Sequence, residues 1–250
     1  MATSGLAAEK RDCIRILDVA IDRTTMANTL AKVESYIASG KPHLIVTADA
    51  ASVVIAHRNP EFKKIVNGAD LVTPDGNGIV WASKRQGRPV EQRVSGVDIA
   101  EKLCALSAKS GYRIYFLGAA PGVAALAAEN LMLKYPGCQI VGSHDGYFSQ
   151  DTDESVAAEI AAAKPDILLV AMGMPRQEQF IRKTENITGA KVAMGVGGTF
   201  DVFSGKTKRA PKLVQKLKLE WFWRVLLNPK KASKVMMLPT FVFAVLKEKQ

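Results

Sequence analysis

The stretch "DLVTPDGNGIVWASKRQG", residues 70–87, joins a short apolar and β-branched run to a longer run of helical composition. A strand-like run followed at once by a helical one predicts a βα unit. Between the two runs, Asp75 lies in the sequence Pro-Asp-Gly, where proline presets φ and glycine supplies a positive φ. The sequence is consistent with two roles for Asp75: a residue that only forms the turn, or a reactive carboxylate presented at the end of a strand.

Similar units recur along the chain and predict an α/β fold, a Rossmann-like open and largely parallel sheet flanked by helices. The first run, HLIVTAD (43–49), leads into a predicted helix through Phe62. Strand-like runs end in polar or glycine-rich elbows, and these meet at one edge of a parallel sheet, its usual ligand-binding crevice. We therefore expect one cleft lined by residues from the elbows: Thr47, Asp49, Asp75, Gly118, Asp145, Gln177 and Gly197. The later runs are YRIYFLG (112–118), CQIVGSHDG (138–146), DILLVAMG (166–173) and KVAMGVGG (191–198).

Charge divides the chain into two parts. The 250 residues are 48% apolar and can bury one substantial core. Residues 1–204 hold 22 basic and 22 acidic side chains, whereas residues 205–250 hold 12 and 2, so the net charge of +10 lies in the tail. We predict a Rossmann-like α/β core at 1–204 and a basic, helical C-terminal appendage at 205–250.

The cysteines, histidines and N-terminus indicate the cellular context. Cys13, Cys104 and Cys138 are widely spaced, without a CxxC pair, and are interpreted as reduced thiols. The three histidines have no cysteine partners and no HExxH motif, so we expect no bound metal. The N-terminus lacks the apolar stretch of a signal peptide, and no uncharged run approaches the ~20 residues that span a bilayer. These features predict a cytoplasmic protein.

Two glycine-rich elbows are candidate phosphate-binding loops. GAAPG (118–122) and GVGGTFD (195–201) allow a ligand to approach the backbone closely. Tight turns explain them equally well, and neither is a Walker A loop or a complete G-x-G-x-x-G. The missing dinucleotide fingerprint argues against a nicotinamide dehydrogenase, but a nucleotide diphosphate remains a candidate ligand.

Seven segments follow one another along most of the chain: ADLVTPDGNGIVWASK (69–84), RVSGVD (93–98), YRIYFLGAAPGVA (112–124), VGSHDGYF (141–148), PDILLVAMGMPRQEQFI (165–181), VGGTFDVFSGKTKRAP (196–211) and LEWFWRVLLNP (219–229). In these segments the chain resembles, from about residue 14 to about 234, the WecG/TagA/CpsF family of bacterial glycosyltransferases. The resemblance implies an inverting, metal-independent enzyme without a cofactor. Such an enzyme moves N-acetylmannosamine or a related hexose from a UDP-sugar to a polyprenyl-diphosphate-linked N-acetylglucosamine, in cell-surface polysaccharide synthesis such as that of teichoic acid.

The resemblance also implies roles for individual residues. Asp75 stands at the position of the proposed catalytic base, and Thr47, Arg93 and Gln177 match other active-site positions. Asp49 departs from the family pattern, which usually has Asn there; a second carboxylate would repel an anionic donor and favours a neutral sugar. The remaining substrate-binding candidates in the core are Gly118, Tyr147, Gly197, Gly198 and Asp201.

The tail interleaves basic residues with Trp221, Phe222 and Trp223, a composition typical of surface binding. Nucleic acid is a rival partner for such a stretch, but no nucleic-acid-binding module is recognisable, so none is expected. The resemblance implies docking on the anionic inner face of the bacterial cytoplasmic membrane. There Arg224 and Lys231 would contact the acceptor diphosphate, with Lys231 standing where relatives often have arginine.

Other functions remain open from the residues alone. A nucleotide-dependent oxidoreductase could use a similar sheet, and a non-catalytic basic binding module could carry such a tail. A homo-oligomer is also possible. UDP release in the presence of a UDP-sugar and a lipid-diphosphate acceptor distinguishes the transferase from the other two.

Overall fold

The computed structural model describes residues 11–208, 210, 211, 214, 223 and 237–248. A six-stranded sheet in the order β4-β3-β8-β7-β5-β6 forms its centre, and every neighbouring pair of strands is parallel. The predicted α/β class with a parallel sheet is thus confirmed. The strands are β1 (Cys13–Ile16), β2 (Val19–Asp22), β3 (His43–Ala48), β4 (Leu71–Pro74), β5 (Arg113–Gly118), β6 (Gln139–His144), β7 (Ile167–Ala171) and β8 (Val192–Gly195).

Helices cover both faces of the sheet. They are α1 (Met26–Ser39), α2 (Ala50–Arg58), α3 (Pro60–Asn67), α4 (Asn77–Arg85), α5 (Gly96–Ser110), α6 (Val123–Lys134), α7 (Asp153–Ala162), α8 (Arg176–Thr188), α9 (Thr199–Phe203) and the C-terminal helix (Met237–Lys247). One apolar core lies under α1, α5, α6 and α9, and the other under α2, α3, α4, α7, α8 and the C-terminal helix. Because β7 and β8 are buried on both faces, their residues are continuously apolar.

The helix after β3 differs from its prediction. The helical composition continues through Phe62, but the chain breaks at Asn59 into α2 and α3. Pro60 cannot continue a helix, because it lacks an N–H. It is accommodated at the first position of α3, and the Asn59 side chain caps α3 by accepting the Phe62 N–H at 3.0 Å.

A hairpin of β1 and β2, absent from the sequence prediction, precedes the main sheet. Asp22, 2% exposed, accepts hydrogen bonds from the Val72 N–H at 2.6 Å and from Arg11 at 2.6 and 2.7 Å. These bonds join the hairpin to β4, the strand that leads to Asp75.

The C-terminal helix packs on α2 and α4. Phe241 and Val245 are buried, and the Phe241 ring lies 6.5 Å from that of Trp81. Glu248 accepts the Leu17 N–H at 2.9 Å. This helix therefore shares a core with residues 11–204, and the division after Ser204 stays a prediction. Within the described ranges, no helix combines the length and the apolar character needed to cross a bilayer.

Candidate active site

Asp75 immediately follows β4, at the carboxyl edge of the sheet. Its N–H donates to the Ala48 carbonyl at 2.8 Å, and Gly76 turns the chain with a φ of +86°. Its Oδ2 accepts the N–H of Gly96, the first residue of α5, at 3.1 Å. Asp75 is therefore part of a turn and also has its carboxylate held in position, half-buried, at the edge where ligands bind.

The segment before α5 runs beside β4. The Val94 N–H donates to the Pro74 carbonyl at 2.8 Å, and the Thr73 hydroxyl donates to the Val94 carbonyl at 3.1 Å. These bonds bring Arg93 and the start of α5 to the Asp75 end of the strand. Because both backbone polar groups of Val94 bond to the end of β4, residues far apart in sequence meet here.

Ser95 and Asp98 support this arrangement. The Ser95 hydroxyl donates to Asp98 Oδ2 at 2.5 Å, and Arg93 Nη2 lies 3.8 Å from the same oxygen. Sequence reasoning did not select Ser95, Gly96 or Asp98. The Ser-x-x-Asp spacing is a helix-start signal and could have placed the first turn of α5 here.

Thr47 and Asp49 both come from the β3 end, where Thr47 lies beside Gly96 and Asp49 lies beside Gly76. Thr47 packs on Gly96 so closely that a Cβ there would be 3.3 Å from its Cγ2 and Oγ1. Asp49 caps α2, because its Oδ1 accepts the Ser52 N–H at 2.7 Å and its own N–H donates to Ser52 Oγ at 2.8 Å. Aspartate and asparagine are equally good N-caps. The departure from the family's asparagine therefore preserves this local structure.

Gln177 connects two neighbouring elbows. It is 3% exposed, and its Oε1 accepts the N–H groups of Gly173 and Gly197, each at 3.1 Å. Its Nε2 donates to Oε1 of the buried Glu178 at 2.7 Å. Both side chains pack against the Cα of Gly195, where any side chain would clash with them. The loop after β8 is thus fixed by a side chain from α8.

The loop after β8 and the short helix α9 that follows it contain three of the predicted substrate-binding residues. Gly197 has a φ of +54°, Gly198 precedes α9, and Asp201 lies within that helix. A Cβ added at Gly197 would meet no atom within 4 Å, so its surface is open to a ligand. β8 is separated from β4 only by β3, which places this loop ~10 Å from the Asp75 strand.

Gly118 and Tyr147 lie farther along the edge. Gly118, with a φ of +121°, packs directly on the Ala171 backbone and has no room for a side chain. Tyr147 is 75% exposed and follows β6, five strand spacings or ~24 Å from β4. Asp145, whose carboxylate accepts the Tyr147 N–H at 2.8 Å, lies on that same outer side. The structure does not bring these residues to Asp75.

Two predicted residues, Arg224 and Lys231, lie outside the described residues, as do Trp221 and Phe222. Within the described part of the chain, no group of three or more His, Cys, Asp or Glu side chains could hold a metal ion. A cavity of about 380 Å³ lies between β1, α4 and the end of the C-terminal helix, away from the strand ends. The candidate site is therefore the open carboxyl edge of the sheet near Asp75, and not this cavity.

The parallel sheet, with a positioned carboxylate and open glycine loops at its carboxyl edge, places the protein among Rossmann-like α/β enzymes. The model of the glycosyl transferase WecG/TagA/CpsF family matches residues 14–250, and the chain belongs to that family. It is a glycosyltransferase, which excludes the oxidoreductase and the non-catalytic binding module.

Two similar proteins share one name, N-acetylglucosaminyldiphosphoundecaprenol N-acetyl-beta-D-mannosaminyltransferase. The Bacillus spizizenii protein is 38% identical over 216 residues, which cover 86% of this chain and 83% of the relative. The protein of Staphylococcus aureus strain MRSA252 is 33% identical over 239 residues, or 95% and 93% of the two chains. The similarity thus extends over most of the length of both relatives.

Proposed function

We propose that this protein transfers N-acetylmannosamine from UDP-N-acetylmannosamine to N-acetylglucosaminyl-diphospho-undecaprenol. The observation that carries the proposal is the match to two relatives of that name at 38% and 33% identity. The position of Asp75 supports the same chemistry, because an inverting transfer needs one base beside the acceptor hydroxyl.

In the proposed mechanism, Asp75 accepts the proton of the acceptor hydroxyl as that oxygen attacks the anomeric carbon. UDP departs from the opposite face of the sugar. One carboxylate is sufficient, since the diphosphate leaving group does not need the acid that a hydrolase supplies. The Gly96 N–H holds the carboxylate in position, and Thr47 packs on Gly96 from the β3 side. Binding of the sugar close to this pair would align the hydroxyl with the base.

The donor diphosphate is assigned to the loop after β8. The open space at Gly197 lets phosphate oxygens approach this loop closely, while the bond from the Gly197 N–H to the Gln177 side chain keeps the loop in place. By the family resemblance, Arg224 and Lys231 supply positive charge to the acceptor diphosphate. For the donor, positioned arginine and glutamine side chains and backbone N–H groups of the cleft would stabilise the departing UDP without a metal.

UDP release tests the proposed function. Full-length protein is given a lipid-linked N-acetylglucosaminyl diphosphate, with UDP-N-acetylmannosamine or UDP-N-acetylglucosamine as donor, with and without EDTA. We expect rapid release only with the first donor and only with acceptor present, unchanged by EDTA. Equal release from the second donor would refute the assigned sugar, and loss in EDTA that Mg²⁺ restores would refute metal independence.

We also propose that residues 205–250 dock the enzyme on an anionic membrane. The segment carries 12 basic residues against 2 acidic ones, and each cation near such a surface contributes ~1 kcal/mol. On the C-terminal helix, Phe243 and Leu246 are 60% and 49% exposed, and the Lys247 ammonium lies 4.4 Å from the Phe243 ring centroid. Exposed apolar and basic side chains on one helix suit a bilayer interface.

A pair of substitutions tests the docking. We expect Phe243→Ser to weaken sedimentation with anionic liposomes several-fold. Leu133→Ser, at an 81% exposed leucine on α6, should leave it unchanged. Equal effects of the two substitutions would show that the C-terminal helix has no special part in docking.

A further inference from the structure

Two of the three cysteines meet in the apolar core beneath α5. Cys104 lies in the middle of α5 and is fully buried, and Cys138 immediately precedes β6 and is 7% exposed. Both side chains belong to the same apolar cluster, and they lie close enough for each to change the pKa of the other. Because the two cysteines are widely spaced in sequence, the sequence pattern did not predict that they are neighbours.

Backbone contacts keep the two thiols together. The Gln139 N–H donates to the Ser107 hydroxyl at 2.9 Å, one turn after Cys104 on α5. A Cβ at Gly137 would lie 3.3 Å from the Ala108 carbonyl oxygen, so the turn before Cys138 rests directly on the helix. The residues flanking Cys138 are exposed, which places this thiol just beneath the surface.

The environment makes the two thiols unequal. The Cys104 thiol, and with it the nearby Ser107 hydroxyl, lowers the pKa of Cys138 to about 7. The Cys138 thiol and deep burial raise the pKa of Cys104. Near neutral pH, Cys138 is therefore partly thiolate while Cys104 keeps its proton, the combination needed for an attacking and a resolving thiol.

We propose that Cys104 and Cys138 form a modification site at which a small peroxide closes an intramolecular disulfide. The Cys138 thiolate attacks one oxygen of hydrogen peroxide, the O–O bond breaks, and hydroxide leaves, so that Cys138 becomes a sulfenic acid. The Cys104 sulfur then attacks the Cys138 sulfur, the S–O bond breaks, and the departing hydroxide takes the Cys104 proton to form water. One peroxide accepts two electrons from the two thiols.

Thiol labelling of the full-length protein tests this site. The reduced protein is treated with hydrogen peroxide, unfolded, labelled with N-ethylmaleimide and weighed. We expect one label where untreated protein takes three, a proteolytic fragment joining Cys104 to Cys138, and full reversal by dithiothreitol. The closed loop should also raise Tm by roughly 5–10 °C.

Single variants identify each thiol's part. Cys13→Ser should leave closure unchanged, and Cys104→Ser should leave a Cys138 sulfenic acid that dimedone traps. In Cys138→Ser, Cys104 should resist peroxide, because it is buried. Three labels after peroxide, a disulfide to Cys13, or dimedone labelling of Cys104 would each overturn the proposal, and the first two need only the wild-type chain.

Discussion

Strand β4 has an aspartate at each end, and the two carboxylates have different hydrogen-bond partners. Asp70, before the strand, accepts the Leu44 N–H at 2.9 Å with Oδ2, while its Oδ1 lies 3.1 Å from His43 Nδ1. Asp75, after the strand, accepts the Gly96 N–H at 3.1 Å beside the open glycine turn at Gly76. The aspartate at the amino edge fastens neighbouring strands, whereas the aspartate at the carboxyl edge lies where open parallel sheets usually bind their ligands.

The amino edge even contains the residue types of a hydrolase triad. Ser39 Oγ lies 2.9 Å from His43 Nε2, and His43 in turn contacts Asp70. However, the Ser39 hydroxyl donates to the Tyr36 carbonyl at 2.7 Å and accepts the Lys41 N–H at 3.2 Å. The Ser39 side chain is thus tied to the backbone at the end of α1 as well as to His43, and the group closes the end of that helix. Residue types alone therefore do not distinguish a structural hydrogen-bonded group from a catalytic site.

The largest effect should come from removing the charge at each end of β4. We expect Asp75→Asn to lower turnover about 10²-fold or more, the scale of general-base catalysis, with UDP binding unchanged. The matched variant Asp70→Asn should keep turnover and lose about 1–2 kcal/mol of stability, because its bond to His43 changes. Steady-state kinetics, UDP titration and urea unfolding measure the two outcomes. Similar turnover in the two variants would show that the carboxylate at the carboxyl edge matters no more for catalysis than the one at the amino edge.

The next effect concerns Gln177. Replacing it with Ala leaves the Gly173 and Gly197 N–H groups without this acceptor, which should cost about 2–3 kcal/mol of stability and ~10-fold in kcat/KM for the donor. The control is Gln179→Ala, at a partly exposed residue two positions along α8. If Tm falls while kcat/KM stays at the wild-type value, Gln177 only holds the fold together.

The sheet could be predicted because its strands are short apolar runs that stop at glycine or acidic residues. The grouping of Thr47 with Asp75 followed from the parallel pairing of neighbouring strands. The β1–β2 hairpin was missed, since its four-residue strands give little pattern and its attachment depends on the buried Asp22 carboxylate.

Details of the site depended on contacts between distant segments. The Gly96 N–H reaches Asp75 only because the Val94 backbone pairs with β4, which no local pattern encodes. Asp49 was interpreted from substrate charge, while its observed bonds are those of a helix cap. The expectation that all elbows form one cleft was too broad, because the elbow at Tyr147 lies at the far end of the sheet.

A smaller effect should follow from adding one methyl group at Gly96. The new Cβ would press on Thr47 at 3.3 Å, moving the first turn of α5 and lengthening the bond to Asp75. We expect Gly96→Ala to lower kcat by roughly threefold to tenfold with little change in stability. Adding Thr47→Ser removes one of the two crowded atoms and should restore part of kcat. No loss in the single variant would show that the Gly96 bond does not position the base.

The smallest effect belongs to Tyr36, at the amino edge, whose hydroxyl donates to the Asp70 carbonyl at 3.1 Å and whose ring stacks on His43. Burial and the nearby carboxylates of Asp70 and Asp22 raise the pKa of Tyr36 to about 12. In the unfolded chain the phenol ionises near pH ~10, so its contribution to stability is complete below that pH and is lost as the pH rises to about 12.

Tyr36→Phe should therefore cost about 0.5–1.5 kcal/mol at pH 8, and less at pH 11, with turnover at neutral pH unchanged. Urea unfolding of both proteins at the two pH values measures the difference, and the comparison cancels the other tyrosines. A difference that stays constant with pH would contradict the raised pKa, and a loss of turnover would mean that the amino edge also affects the chemistry at Asp75.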